Sequence, residues 1–219
     1  TMKYSVILVA AGKGTRTHLD YNKVLYRFKD GQTVLSRCLK TFSDDPDCIQ
    51  IIVVCADYEM EKIAEDCSRW DKACFVTGGD TRQDSVWNGL QKADQEVVLI
   101  HDAARPFLRR ENLEDLKKCL EQEDAALLMV PAVDTVKIVN EQGYVEFSPK
   151  RNLVYHAQTP QGFKTDVIRE AHRKGRAAGF AATDDAQLVE QFTDVPVACV
   201  QGDLSNKKIT HPGDLEFDS

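Results

Sequence analysis

The chain has 219 residues, a length that suits one α/β domain able to bury a large core. Its formal net charge of −7 argues against nucleic acid as a partner, because a polyanion-binding surface needs a concentrated basic face. No apolar run is long enough to span a bilayer, and with Thr1 set aside the amino terminus lacks the basic, apolar, small-residue order of a signal peptide, so the reading is a soluble, cytoplasmic protein.

VILVAAGKGTR, from Val6 to Arg16, opens as an apolar run and ends in a glycine-rich basic turn, the pattern of a buried strand delivering a loop to the carboxyl edge of a sheet. TVLSRCLKTF places Val34, Leu35, Cys38, Leu39 and Phe42 on one helical face behind Thr33 as N-cap. IQIIVVC from Ile49 reads as a buried strand, Tyr58 to Trp70 as helical, KACFVTGG as a strand running into glycines, and SVWNGL as the start of a helix. EVVLIHDAARP repeats the opening logic. A helix around Leu113, Leu116 and Leu120 follows, then the strand ALLMVPA. This alternation predicts a largely parallel sheet with helices on both faces.

The rhythm changes after Pro131. TVKIV and YVEF flank an Asn-Glu-Gln-Gly turn and predict an inserted hairpin, an arm over about residues 133–157. A two-stranded hairpin buries too little to stand alone, so the arm either packs on a second copy of the chain or lies as a flap on a monomer. Helices near Asp166 to Lys174 and over TDDAQLVEQF, the strand VACVQG and a helix from Pro212 complete the pattern. The seven cysteines are odd in number and show no paired C-x-x-C spacing, which fits reduced, small apolar side chains better than zinc ligands or a disulfide framework.

The first loop meets neither common phosphate-loop pattern. A dinucleotide fingerprint needs a third glycine where Thr17 stands, and a Walker loop needs Gly-Lys-Ser/Thr where Thr17, His18 and Leu19 stand. What remains is a loop of small residues flanked by Lys13, Arg16 and Lys23, which is either a backbone cradle for phosphate or an ordinary strand-to-helix turn with surface charges. AAGKGTR with Lys23, GGDTRQDS, HDAARP and NKKIT all fall where strands should end. They would gather Arg16, Lys23, Arg82, Arg105 and Lys208 at one edge of an acidic protein, a setting suited to a triphosphate.

The set VAAGKGTR, NKV, GGDTRQDSV, HDAARPF, PAVDTVK, RNLVYHAQTPQGF, TDDAQLVE and NKKIT resembles the 2-C-methyl-D-erythritol 4-phosphate cytidylyltransferases over about Ser5 to Leu215. That resemblance implies a single-domain, Rossmann-like α/β nucleotidyltransferase fold, a homodimer built through the β-hairpin arm, and CTP with Mg²⁺ held mainly by its phosphates. It assigns Ala10, Ala11, Gly12, Gly14, Arg16 and Lys23 to the CTP loop, with Arg16 and Lys23 stabilising the transition state. Gly79, Asp80, Arg82 and Ser85 would meet the cytidine, and Asp102, Ala103 and Arg105 would lie between nucleotide and acceptor, Ala103 on the nucleotide side. Thr135, Thr159, Lys208 and Arg151 would hold the acceptor phosphate, Arg151 reaching over from the neighbouring subunit. Thr17 and Asn22 depart from the methionine and proline usual at those places, which bears on loop shape rather than charge.

The acceptor phosphate is already an anionic nucleophile. In-line attack on the α-phosphorus of CTP, with loss of pyrophosphate, therefore needs no protein base and mainly requires two mutually repelling anions to be held together. Ribitol 5-phosphate cytidylyltransferases are the nearest rival, but tend toward AGG in the first loop where this chain has AAG. Sugar-1-phosphate nucleotidyltransferases lack the Arg-anchored QTPQ segment. A catalytically dead scaffold sits poorly with intact Arg16, Lys23, Arg151 and Lys208.

Overall fold

The computed structural model of the chain describes residues 2–12, 22–210 and 214. In chain order its strands are β1 (Tyr4–Val9), β2 (Cys48–Cys55), β3 (Ala73–Thr77), β4 (Val97–Asp102), β5 (Ala125–Pro131), β6 (Ile138–Val139), β7 (Val145–Phe147), β8 (Tyr155–Lys164) and β9 (Ala198–Gln201). Seven form one sheet in the order β3-β2-β1-β4-β8-β5-β9, and β6 and β7 form a separate hairpin. All pairings in the large sheet are parallel except those of β8, which runs antiparallel to both β4 and β5.

The helices are α1 (Val34–Ser43), α2 (Met60–Asp66), α3 (Arg82–Leu90), α4 (Arg110–Leu120), α5 (Thr165–Ala177) and α6 (Asp185–Phe192). Strand side chains alternate between faces, and the two faces of β1 show where the helices lie. Val6 and Leu8 pack with Leu35, Leu39 and Phe42 of α1, Ile63 of α2, and Leu113, Leu116 and Leu120 of α4. Ile7 points the other way, into a cluster with Val86 and Leu90 of α3, Ile168 of α5, and Leu188 and Val189 of α6. Helices therefore cover both faces, as the alternation of apolar runs predicts.

Local signals explain most starts. Thr33 caps α1 in a reciprocal box, accepting from Ser36 N at 2.9 Å while Ser36 Oγ accepts from Thr33 N at 2.8 Å. Thr81 caps α3 and Asp184 caps α6. The Thr81 cap starts α3 at Arg82, earlier than SVWNGL alone implies, and the helical stretch predicted from Tyr58 to Trp70 contracts to α2 behind a 3-10 turn, Asp57–Glu59. The helix expected from Pro212 lies almost wholly outside the described residues.

The unexpected element is β8. YHAQTPQGFK has neither an apolar run nor clean alternation, yet it lies in the middle of the sheet with Gln158 to Phe163 buried. Its reversed direction matters for function: its early residues, Gln158 and Thr159, lie at the same edge as the carboxyl ends of β1 and β4. The hairpin occupies 132–154, since Tyr155 already pairs with Pro131 in the main sheet. The expected end near residue 157 thus runs slightly into β8.

Candidate active site

At the carboxyl edge of β1 and β4, a cavity of about 200 Å³ is lined by Val9, Ala10, Ala11, Gly12, Asn22, Lys23, Val24, Arg82, Asp102, Ala104 and Lys208. Larger cavities of about 630 and 670 Å³ lie elsewhere and contain none of the expected site residues. Converging charge, rather than size, marks the smaller one as the candidate functional centre.

Asp102, the last residue of β4, organises the cluster. Its Oδ1 accepts from Arg82 Nε at 3.1 Å and Nη2 at 3.0 Å, while Lys208 Nζ lies 3.6 Å and Arg105 Nε 3.8 Å from its Oδ2. Burial opposes the charge on this carboxyl, but Arg82, Lys208 and Arg105 outweigh burial and hold it well below the usual carboxylate range. Arg82 reaches from the start of α3 and is gripped again from behind, where its Nη1 donates to Asp185 Oδ2 at 3.0 Å. Asp185 Oδ1 in turn lies 3.2 Å from His172 Nε2. A planar guanidinium held between two carboxylates has little freedom, so Arg82 presents a fixed cation.

The turn after Asp102 is closed by His101. Burial keeps this imidazole neutral, pulling its pKa down to about 4. Its Nε2–H donates to Arg105 O at 2.9 Å, and its Nδ1 accepts from the Thr159 hydroxyl at 2.9 Å. Thr159 Oγ1 also accepts from Asp102 N at 3.0 Å. From the carboxyl side, Asn206 Nδ2 donates to Thr159 O at 2.7 Å and its own carbonyl receives Arg105 Nη1 at 2.7 Å, which brings the Lys208 segment against the turn.

The first loop is close-packed where it is described. A Cβ on Gly78 would stand 2.9 Å from both Ala11 Cβ and Ser85 Oγ, and one on Gly79 would collide with Asp84, so this approach to α3 requires glycine. Ser85 Oγ accepts from Gly79 N at 3.1 Å.

The structure thus brings Ala10, Ala11, Gly12, Lys23, Arg82, Asp102 and Lys208 to one cavity. Ala103, Ser85 and Thr159 lie buried behind it, with Arg105 beside Asp102, while Gly79 and Asp80 are exposed at the mouth of α3. Gly14 and Arg16 lie outside the described residues. Thr135 and Arg151 are exposed on the hairpin arm and do not line the cavity; Arg151 Nη1 donates to Val133 O at 3.2 Å. Sequence reasoning gave no role to His101, Asp185, His172 or Asn206. His101, Asp185 and Asn206 lie inside the motifs HDAARP, TDDAQLVE and NKKIT, so the signal was present but pointed at their neighbours.

Comparison with known proteins supplies the reading that geometry alone leaves open. The family model described as IspD, 2-C-methyl-D-erythritol 4-phosphate cytidylyltransferase, matches residues 4–218. This chain belongs to that family. It is 39% identical to the Geobacillus kaustophilus protein of that name over 220 aligned positions, covering 99% of this chain and 95% of the relative. The Clostridioides difficile protein of the same name is 37% identical, with 98% and 91% covered. Among solved structures, the 4-diphosphocytidyl-2C-methyl-D-erythritol synthase of Anaerococcus prevotii superposes with a TM-score of 0.90 at 34% identity, covering 99% of this chain and 94% of that one. The Thermus thermophilus 2-C-methyl-D-erythritol 4-phosphate cytidylyltransferase gives 0.80 at 34% identity, with 99% and 97% covered. Family membership confirms the resemblance read from the motifs, and the superpositions confirm the fold.

Proposed function

We propose that the chain transfers the cytidylyl group of CTP to 2-C-methyl-D-erythritol 4-phosphate, releasing pyrophosphate and forming 4-diphosphocytidyl-2-C-methyl-D-erythritol. The observation that carries this reading is the cavity where Lys23 lines the same space as Arg82 and Lys208, both of which pair with Asp102, in a chain matching the family along its length. The reaction joins two anions, so the site must supply fixed positive charge at the position where negative charge accumulates.

In this reading Ala10, Ala11 and Gly12 cradle the triphosphate, and Lys23 meets the charge that grows on the α-phosphoryl group. Arg16 shares that role, and Gly14 belongs to the same loop. Gly79, Asp80 and Ser85 border the base, with Arg82 and buried Ala103 behind it. Asp102 and Arg105 separate nucleotide from acceptor, and Lys208, Thr159, Thr135 and Arg151 serve the acceptor side. The acceptor phosphate oxygen attacks the α-phosphorus, the bond to the bridging oxygen breaks, and pyrophosphate leaves with the electron pair.

Mg²⁺ belongs to this scheme as the companion of the triphosphate. Among the described residues Asp102 is the carboxylate in the cavity lining, and Arg82, Lys208 and Arg105 already surround it, so this donor set fits a cation held by the nucleotide better than one caged by the protein. Bound there, Mg²⁺ would neutralise phosphate charge.

The exposed arm supports a homodimer. Tyr144 and Leu153 are each 73% exposed, and Val139, Val145 and Phe147 are also exposed, an apolar surface a two-stranded hairpin does not bury by itself. A second copy covering it would carry Arg151 and Thr135 toward a neighbour's acceptor site. No helix among the described residues is long and apolar enough to cross a membrane. The cytoplasm, where thiols stay reduced, is the compartment proposed.

The deciding experiment measures pyrophosphate release from CTP with methylerythritol phosphate and ribitol 5-phosphate offered separately. Turnover with the first is expected. A clear preference for the second, or equal use of ATP or UTP, overturns the assignment.

A further inference from the structure

Asn22, immediately before Lys23, is among the least exposed polar residues of the cavity lining, at 4%. A buried primary amide carries two donors and one acceptor that must all be satisfied. Here each is used, and each partner belongs to a different element. Asn22 Oδ1 accepts from Val24 N at 3.3 Å, capping the 3-10 turn Lys23–Leu25. Its Nδ2 donates to Ala10 O at 2.7 Å, the carbonyl just past β1 from which the nucleotide loop departs. The same nitrogen donates to Glu59 Oε1 at 3.2 Å, on the turn that follows β2. Glu59 is itself 9% exposed; burial raises the pKa of its carboxyl, and the Asn22 amide pulls it back down.

The geometry points to Asn22 as a positioning residue for Lys23, with Glu59 as its anchor. This inference rests on the proposed cytidylyl transfer only in naming Lys23 as the group being placed. Lys23 opens a turn of three residues, too short to hold its own direction, and the residue that caps the turn, Asn22, ties it by one side chain to the ends of two adjacent central strands. Glu59 fixes which way the amide faces: its carboxylate accepts only from nitrogen, so Oδ1 is left for Val24. Removing the amide leaves Ala10 O and a buried carboxylate without this donor, and releases the turn from the strand edge on which the triphosphate cradle is built. A small displacement of a charged group from its reacting geometry costs rate more than it costs binding.

Five proteins test this: wild type, Asn22→Ala, Asn22→Pro, Lys23→Ala and the Asn22→Ala, Lys23→Ala double variant. Asn22→Ala is expected to lower kcat roughly tenfold or more while KM for CTP moves less than about threefold. Asn22→Pro keeps the φ of −60° that the backbone already has but removes the amide, and is expected to be as slow as Asn22→Ala. In the Lys23→Ala background Asn22→Ala should cost less than about twofold, because its effect runs through the missing lysine. Hydrogen exchange without substrate reads the same tie: the amides of Val24, Leu25 and Tyr26 should exchange about tenfold faster or more in both Asn22 variants. Wild-type kcat in Asn22→Pro, an undiminished cost of Asn22→Ala beside Lys23→Ala, or unchanged exchange at these amides overturns the inference. A wild-type protein with no turnover overturns the proposed reaction instead, and exchange still decides the role of Asn22.

Discussion

The Asp102 cluster and the hairpin arm are built in opposite ways. At the cluster, partners come from within the chain: Asp102 meets three cations, Arg82 meets two carboxylates, and His101 has both ring nitrogens engaged. The arm has a small ladder of its own, an Asx-type turn in which Asn140 Oδ1 accepts from Gln142 N and Tyr144 N, and a display of exposed apolar side chains. One region is preorganised around fixed charges. The other has interaction capacity that its own chain does not use, the condition under which a second protein surface adds most stability.

The largest expected effect breaks the first region at its reacting edge. Lys23→Ala should lower kcat by roughly 10² to 10³ while changing nucleotide affinity much less, as for other groups that meet charge in the transition state. Steady-state kinetics decide the point. An unchanged kcat with a raised KM assigns Lys23 to ground-state binding and makes the cluster a holding site only.

Next in size is a pH effect at the cluster. His101 is kept neutral by burial with a pKa of about 4, against about 6.5 in an unfolded chain. The unfolded state therefore binds more protons between these values, so stability is complete above about pH 6.5 and falls as pH drops toward 4, by at most about 3 kcal/mol. Asp102 continues the trend below that window: its carboxyl is depressed in the fold, so its contribution is present above about pH 4 and is lost as pH falls further. Denaturant unfolding of wild type and His101→Gln across pH 4 to 7 measures the first part. The variant should show a flatter profile; an equal slope in both removes His101 from the account.

Much of the cluster was legible because its chemistry is local in sequence. HDAARP carries Asp102 and Arg105 together, and AAG and GGDTRQDS each end a strand, so counting residues along the chain was enough to place them. Asp185 was harder to read. It is separated from Arg82 by 103 positions, nearly half the chain, and only the sheet topology makes them partners. Strand β8 was missed for a related reason: periodicity reports a strand with one apolar face, whereas Gln158, Thr159 and Gln161 are buried because their side chains bond Asp203 O, His101, Asp184 and Ala186 N. The arm was visible through its turn, since Asn-Glu-Gln-Gly is itself the hydrogen-bonded unit, with Gly143 at φ +88°.

The arm gives the third prediction. If Arg151 serves a neighbour's acceptor phosphate as proposed, Arg151→Ala should lower turnover by roughly tenfold to a hundredfold, since a guanidinium on a phosphate has no close substitute. Mixing slow Arg151→Ala chains with slow Lys23→Ala chains should restore activity, because one site of a mixed dimer then receives both intact residues. Leu153→Asp, which puts a charge on the most exposed apolar part of the arm, should shift sedimentation from dimer to monomer. Confirmed exchange of subunits without recovery, or an active monomer, places Arg151 outside the neighbour's site.

The smallest effect is expected within the arm's own turn, and it sharpens the contrast most. Gly143 sits at φ +88°, a conformation that costs an alanine about 1 kcal/mol. In a cooperative core that strain would lower the melting temperature of the whole chain. In the arm it should act where the hairpin is needed, at association, and weaken the dimer by about fivefold. The two cases separate in the monomeric background. Gly143→Ala added to Leu153→Asp should leave the melting temperature within about 1 °C, because a hairpin that packs against nothing opens without unfolding the sheet. A drop of several degrees there would show that the arm belongs to the cooperative unit, and that the cluster and the arm are parts of one packed body rather than a finished site and a surface awaiting its partner.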